Sequence, residues 1–162
     1  MINQIFLALG TNLGDKKANL ALAREEINAT ISPIVRTSSV YQTEAWGKTD
    51  QPDFYNQVVE IRSSINPEEL LNKILALEKR LGRIRKEKWG TREIDIDILF
   101  VGDQTIATTT LNVPHPEIQN RKFVLAPLAE IASEFIHPTT RKTIKEMLAL
   151  CADPLDVAKI TV

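Results

Sequence analysis

Two aspartates, two residues apart, stand in an otherwise apolar run: Ile94-Asp95-Ile96-Asp97-Ile98-Leu99-Phe100. If the run is a strand, its side chains alternate, and Asp95 and Asp97 leave one face with Cα atoms about 6.5 to 7 Å apart. The three isoleucines then fill the opposite, buried face. Aspartate is disfavoured in strands and like charges on one face repel, so the pair needs something to offset it. A hard divalent cation with oxygen ligands does so, and two carboxylates at this spacing could hold a pair of ions about 3.5 to 4 Å apart. An ordinary solvated strand face is the competing reading, since Asp-x-Asp is a common string.

The segment before the aspartates favours the first reading. Arg83, Arg85, Lys86, Lys88 and Arg92 crowd five cations into ten residues. Cations beside a metal site make sense if a polyanion sits between them, and a nucleoside triphosphate with magnesium fits. The bland alternative is a solvated charge run pairing with Glu87 and Glu93. Neither a Gly-Lys-Ser/Thr phosphate loop nor a Gly-x-Gly-x-x-Gly dinucleotide motif is present, and Gly10-Thr11-Asn12-Leu13-Gly14-Asp15 reads instead as a tight strand-to-helix turn. A triphosphate here would rest on magnesium and arginines.

Aromatic residues are few, so their positions inform. Trp46 and Trp89 fall in segments with no periodicity. Phe54 and Asn56 share one face of the next strand, a ring to stack on a flat heterocycle beside an amide to bond its edge, although core packing also explains Phe54. Phe123 carries the same ambiguity. His115 sits between Pro114 and Pro116, where it could donate to a phosphate or cap a helix, and Arg121 could reach the same anion. His137 and Cys151 read as structural.

The elements that must position these residues follow from periodicity. Strands are expected at Ile2–Leu9, Val35–Tyr41, Phe54–Ser63 and Ile94–Val101, with a turn at Gly102-Asp103. Asp15 caps a helix running to about Ala29. Asn66, Pro67 and Glu69 open a second helix, whose Leu70, Ile74, Leu77 and Leu81 recur at helical spacing before Gly82 can close it. Helical patterns at Arg121–Ile131 and Thr143–Leu150 complete the chain. The order is β-α-β-β-α-β with helical additions, that of an α+β, ferredoxin-like sandwich with an antiparallel sheet and additional C-terminal helices. Gln42–Asp53 and Gly82–Glu93 take no assignment, and loops of that length in a compact domain are commonly functional lids.

Composition bounds the answer. The 162 residues suit one domain, 1–162, and 43% apolar with 25% charged residues is ordinary for a globular protein. Lys plus Arg (20) balances Asp plus Glu (21), which argues against a surface that as a whole grips nucleic acid or anionic lipid. Cys151 is the only cysteine, excluding an internal disulfide. Without a basic start and long apolar stretch for a signal peptide, or a membrane-length apolar window, a cytoplasmic protein is expected.

Six segments occur in order: Gly10-Thr11-Asn12-Leu13-Gly14; Ser38–Thr43; Asp50–Asn56; Gly82-Arg83-Ile84-Arg85; Trp89–Ile98; and Val113-Pro114-His115-Pro116 followed by Arg121. Together they closely resemble the 6-hydroxymethyl-7,8-dihydropterin pyrophosphokinase family, over about residues 3 to 150. The resemblance implies pyrophosphate transfer from ATP to the pterin's hydroxymethyl group, giving AMP and the pterin pyrophosphate ester on the way to folate. It implies two magnesium ions on Asp95 and Asp97, and a pterin between the rings of Phe54 and Phe123, with Asn56 on its edge and backbone near Thr43 and Ala45. It further implies ATP contacts from Arg85, Arg92, His115 and Arg121, with Glu78, Trp89 and Ile98 lining the nucleotide side. Arg83 matches a loop arginine that enters on closure, so Arg83, Arg92, Asp95 and Asp97 form the catalytic set. A monomer acting on small molecules is expected, with no nucleic acid or membrane partner. Three positions depart from the pattern: Gln42–Gly47 lacks a common proline, Thr110 replaces an arginine of some members, and Phe54 replaces a frequent tyrosine. An RNA-binding module and a two-metal phosphohydrolase are the rivals. The first would need aromatics on the central strands, which are instead aliphatic or acidic.

Overall fold

The computed structural model describes residues 1–44, 53–85 and 94–160, the side chains of 83–85 excepted. The elements are β1 (Asn3–Thr11), α1 (Lys16–Thr30), β2 (Ile34–Thr37), β3 (Val40–Thr43), β4 (Phe54–Ser63), α2 (Pro67–Arg85), β5 (Asp95–Val101), β6 (Ile106–Ala107), β7 (Asn112–Val113), α3 (Lys122–Ala132), α4 (Ile144–Leu150) and β8 (Val157–Ile160). The main sheet runs β5-β1-β4-β3-β8, with β2 also on β4, and every pairing is antiparallel. With β2 and β3 counted as one interrupted strand, this is the split βαβ arrangement of a ferredoxin-like sandwich, as the element order requires. Among the described residues, no helix is long and apolar enough to cross a membrane.

Alternation along β1 divides the interior in two. Ile5, Leu7 and Leu9 pack with Leu20, Ala23 and Ile27 of α1 and with Leu70, Ile74 and Leu77 of α2. Phe6 points the other way, into a second cluster with Val58, Leu99 and Phe100 under Leu125 and Leu128 of α3 and Met147 of α4. In β5 the alternation holds through Ile94, Ile96 and Ile98, all on the α1/α2 side. A bulge then shifts the register, pairing Leu7 with Ile98 but Phe6 with Phe100, so Leu99 and Phe100 both enter the second cluster.

The caps read from sequence form. Asp15 accepts from the Ala18 N–H at 3.1 Å, and Asn66 accepts from those of Glu68 and Glu69 at 2.9 and 3.4 Å. Three boundaries differ from the periodicity, and the strands β6, β7 and β8 have no counterpart in it. The strand expected over Val35–Tyr41 is two strands, because buried Ser38 turns inward and its hydroxyl accepts the Val58 N–H at 3.0 Å in place of a ladder carbonyl. Helix α2 continues through Gly82 to Arg85, since one interior glycine costs only about 1 kcal/mol. Strand β1 extends to Thr11, so Gly10 belongs to the sheet rather than to the following turn. Strand β8 was not expected at all; its four residues are held by pairing with β3 rather than by a pattern of their own.

Helix α3, which opens beside the site, is fastened at both ends. Asp153 accepts the Lys122 N–H at 3.2 Å, and Glu130 accepts from the Ser39 N–H at 3.0 Å and the Tyr41 hydroxyl at 2.8 Å. Burial and the Glu130 carboxylate push the Tyr41 hydroxyl up to about 12, so it stays a donor throughout the working range. His137, read as structural, lies edge-on to Phe100 with ring centroids 5.4 Å apart, and its Nδ1 accepts from Thr139 and Thr140 N–H at 3.1 and 3.2 Å.

Burial holds the His137 imidazole below its ordinary value. The unfolded chain therefore binds a proton there before the folded one does, and stability falls as pH drops below about 6.5. In His137→Asn, which keeps an acceptor without a titrating group, the urea midpoint should fall less between pH 7.5 and 5.5 than in wild type. Equal falls would remove His137 from the pH response.

Candidate active site

Helices α3 and α4 cover only part of their face of the sheet. Along β1 the residues on that face shrink from Phe6 through Ala8 to Gly10, and the space left becomes a cavity of about 480 Å³. The register sets its rows: Asn56 of β4, Gly10 and Asp95 of β5 lie side by side, and behind them Val58, Ala8 and Asp97. Asp95 and Asp97 thus share the cavity wall while Ile94, Ile96 and Ile98 are buried beneath, as the alternation implied.

Phe54 and Asn56 enter the cavity from β4, Thr43 from the end of β3, and Arg121 and Phe123 from the start of α3. The Asn56 amide donates to the Thr43 hydroxyl at 3.0 Å and is almost fully buried. Phe54 and Phe123 are half-buried, so each ring keeps a surface for a ligand, and the Arg121 guanidinium stands 5.7 Å from the Phe123 ring centre. The mouth beside Phe54 is tied together: Lys16 donates to the Asp53 carbonyl at 3.0 Å and Gln42 to the Asp53 carboxylate at 2.6 Å.

Charge decides what can bind. Among the described residues, the carboxylates of Glu44, Asp95, Asp97 and Glu117 line the cavity against the one guanidinium of Arg121. Such a wall repels a polyphosphate unless cations accompany it. No three acidic, histidine or cysteine side chains among the described residues form a metal cage. Two carboxylates on one strand suit magnesium, which keeps few protein ligands and completes its shell with water and substrate phosphates. The residues present therefore fit magnesium that shares its coordination with a nucleotide.

Glu78 does not line the cavity; its carboxylate accepts the Ile96 N–H at 2.7 Å, clamping the backbone between the two aspartates from α2. Ile98 is buried in the first core cluster, which leaves only its backbone for a nucleotide contact. His115 is half-buried, with its backbone N–H donating to the Leu99 carbonyl at 3.0 Å and its ring Nδ1 accepting from the Glu117 N–H at 3.1 Å. Burial pushes its imidazole below the ordinary value, Arg121 pushes the same way, and the nearby Asp97 opposes them. The ring is thus neutral near pH 7 with its proton on Nε2, a donor suited to a phosphate oxygen. Thr110 binds the Glu68 carboxylate at 3.2 Å, so at this departure from the pattern the side chain serves α2. Ala45, Trp46, Trp89 and Arg92, with the side chains of Arg83 and Arg85, lie outside the described residues, as do Lys86 and Lys88. Gly10 and Ala8 were missed; their shared face with Asn56 was readable only once β1 was known to extend past Leu9.

The model of the 7,8-dihydro-6-hydroxymethylpterin-pyrophosphokinase (HPPK) family matches residues 6–133. The chain belongs to this family. Curated relatives agree in name: the 2-amino-4-hydroxy-6-hydroxymethyldihydropteridine pyrophosphokinases of Aquifex aeolicus (44% identical, covering 88% of each chain) and Methylorubrum extorquens (39% identical, 98% of this chain and 99% of the relative). Among solved structures, Plasmodium falciparum HPPK-DHPS A437G superposes with a TM-score of 0.78 at 19% identity, over 93% of this chain and 45% of that one, which bears on the fold. As an HPPK, the chain transfers pyrophosphate from ATP to the hydroxymethyl group of the dihydropterin in folate biosynthesis.

The Glu78 clamp has a measurable consequence for this HPPK. Removing a partly buried charged acceptor costs about 1 to 3 kcal/mol, so Glu78→Ala should lower unfolding free energy by that amount and Glu78→Gln by less. Equal values for Glu78→Ala and wild type would show that the clamp contributes nothing.

Proposed function

We propose that the cavity carries out the family reaction with a fixed division of labour among its walls. The pterin lies between Phe54 and Phe123, with Asn56 on its edge and backbone of Thr43 and Ala45 beside it. The triphosphate is met by Arg121 and His115, by Arg85 and Arg92 from the basic segment, and by Arg83 on closure. Glu78, Trp89 and Ile98 belong to the nucleotide side, Glu78 through the backbone it clamps. Asp95 and Asp97 hold two magnesium ions, which when bound supply charge neutralisation and a template for the phosphates. The protein acts as a single-domain monomer in the cytoplasm on small molecules, without nucleic acid or membrane.

The observation that carries this reading is the row Asn56–Gly10–Asp95. It separates a heterocycle-reading amide from a phosphate-side carboxylate by two strand spacings, about 9 to 10 Å. A pterin bound at Asn56 then extends its hydroxymethyl group toward the acids. The hydroxyl oxygen attacks the β-phosphorus in line, forming the new P–O bond as the bond to the α,β-bridging oxygen breaks. That oxygen leaves with AMP, and the hydroxyl proton passes to water or to Asp97. Arginine forks and the neutral His115 donor stabilise the charge gathering on phosphate oxygens. Closing the cleft excludes water and so protects ATP from hydrolysis.

Incubation with ATP, magnesium and 6-hydroxymethyl-7,8-dihydropterin should yield AMP and the pterin pyrophosphate ester. Asp95→Asn and Asp97→Asn each remove charge stabilisation worth several kcal/mol, so AMP formation should fall at least about a hundredfold with circular dichroism unchanged. Near wild-type turnover in either variant rejects the metal assignment, and phosphate release in place of AMP rejects the transfer.

A further inference from the structure

Gly10 occupies a strand position where glycine has no conformational purpose. Its φ is not among the positive values, which among the described glycines belong to Gly14 and Gly102, and a glycine inside a strand weakens it. A side chain there would crowd the neighbour on β4. A Cβ built at Gly10 would lie 3.2 Å from Asn56 Oδ1, closer than ordinary van der Waals contact. Asn56 can give way only toward the cavity it lines, and doing so strains the other end of its amide, which is bonded to Thr43 at 3.0 Å. The amide is thus gripped between the bare backbone of β1 and the hydroxyl of β3.

We propose that Gly10 is a positioning residue for recognition of the pterin: its missing side chain lets the Asn56 amide lie across β1, bonded to Thr43, at the depth where it meets the edge of the heterocycle. The proposal rests on the reading of Asn56 as the pterin-edge ligand. Thr43 is the second jaw of the same grip, acting through its hydroxyl as well as its backbone. A methyl group at position 10 pushes the amide by a few tenths of an ångström and strains its bond to Thr43, which shifts the group that reads the heterocycle. The nucleotide side, reached from β5 and α3, is untouched.

The test is a double-mutant cycle on the full chain, with AMP formation as the readout. Gly10→Ala should lower kcat/KM for the dihydropterin about tenfold, the size expected for one disturbed hydrogen bond, with the change in KM. KM for ATP should stay within about twofold, a shift too small to signal a lost contact. In the Asn56→Ala background the same substitution should change kcat/KM by less than about twofold, because the group it displaces is gone. An equal factor in both backgrounds, or no effect in either, overturns the proposal. Thr43→Val provides the same cycle if Gly10→Ala does not fold, and a factor that persists without Asn56 overturns it likewise. Wild-type protein that makes no AMP sinks the pterin reading and this one together. AMP from wild type with additive variants sinks only the role of Gly10.

Discussion

The register of β1 against β4 and β5 is the constraint on which the site depends. Antiparallel pairing places Gly10 between Asn56 and Asp95, and Ala8 between Val58 and Asp97. A slip of one residue would turn Asn56, Asp95 and Asp97 into the α1/α2 core and bring Leu7 and Leu9 into the cavity. The register is held by what lies beneath: Ile5, Leu7 and Leu9 are buried with Ile94, Ile96 and Ile98. Stability and function are therefore one choice of phase along three strands. Polar residues occupy the open end of a sheet whose apolar positions could pack no other way.

Charge imposes the second constraint. A wall rich in carboxylates, in a chain whose sequence just before β5 is rich in arginine and lysine, would be poor design for either a plain core or a plain anion site. The combination suits a ligand that brings cations and anions together, and magnesium with a triphosphate is such a ligand. Two carboxylates by themselves would leave a magnesium ion's coordination incomplete, and under the proposed reading substrate oxygens would finish it. Backbone order is supplied from outside the wall: Glu78 grips the peptide N–H of Ile96, and Asp153 and Glu130 hold the start and end of α3, from which Arg121 and Phe123 project.

Much of this is legible in the sequence. Isoleucines at 94, 96 and 98 announce a face to bury, and Asp95 and Asp97 must then share the other. Leucines and isoleucine at 70, 74, 77 and 81 leave one helical stripe, and the polar caps at Asp15 and Asn66 mark where those helices start. The misses have physical causes. Ser38 interrupts a strand by offering its own hydroxyl to a neighbouring N–H, a local competition that alternation does not register. Strand β8 has no pattern of its own and exists because β3 offers it an edge.

The sequence by itself determined which residue types face each other in kind: acids against apolar backing, an amide beside an aromatic ring, helices with one greasy stripe. These are properties of period and composition, and they act within a few residues of one another. Only the tertiary structure decided that Asn56 and Asp95, 39 positions apart in the chain, flank the same glycine. It also decided that Glu78 serves a peptide N–H and that Thr43 holds an amide. Pairing between distant strands is selected by the fit of whole buried faces, and no local run of residues encodes which neighbour a strand will meet.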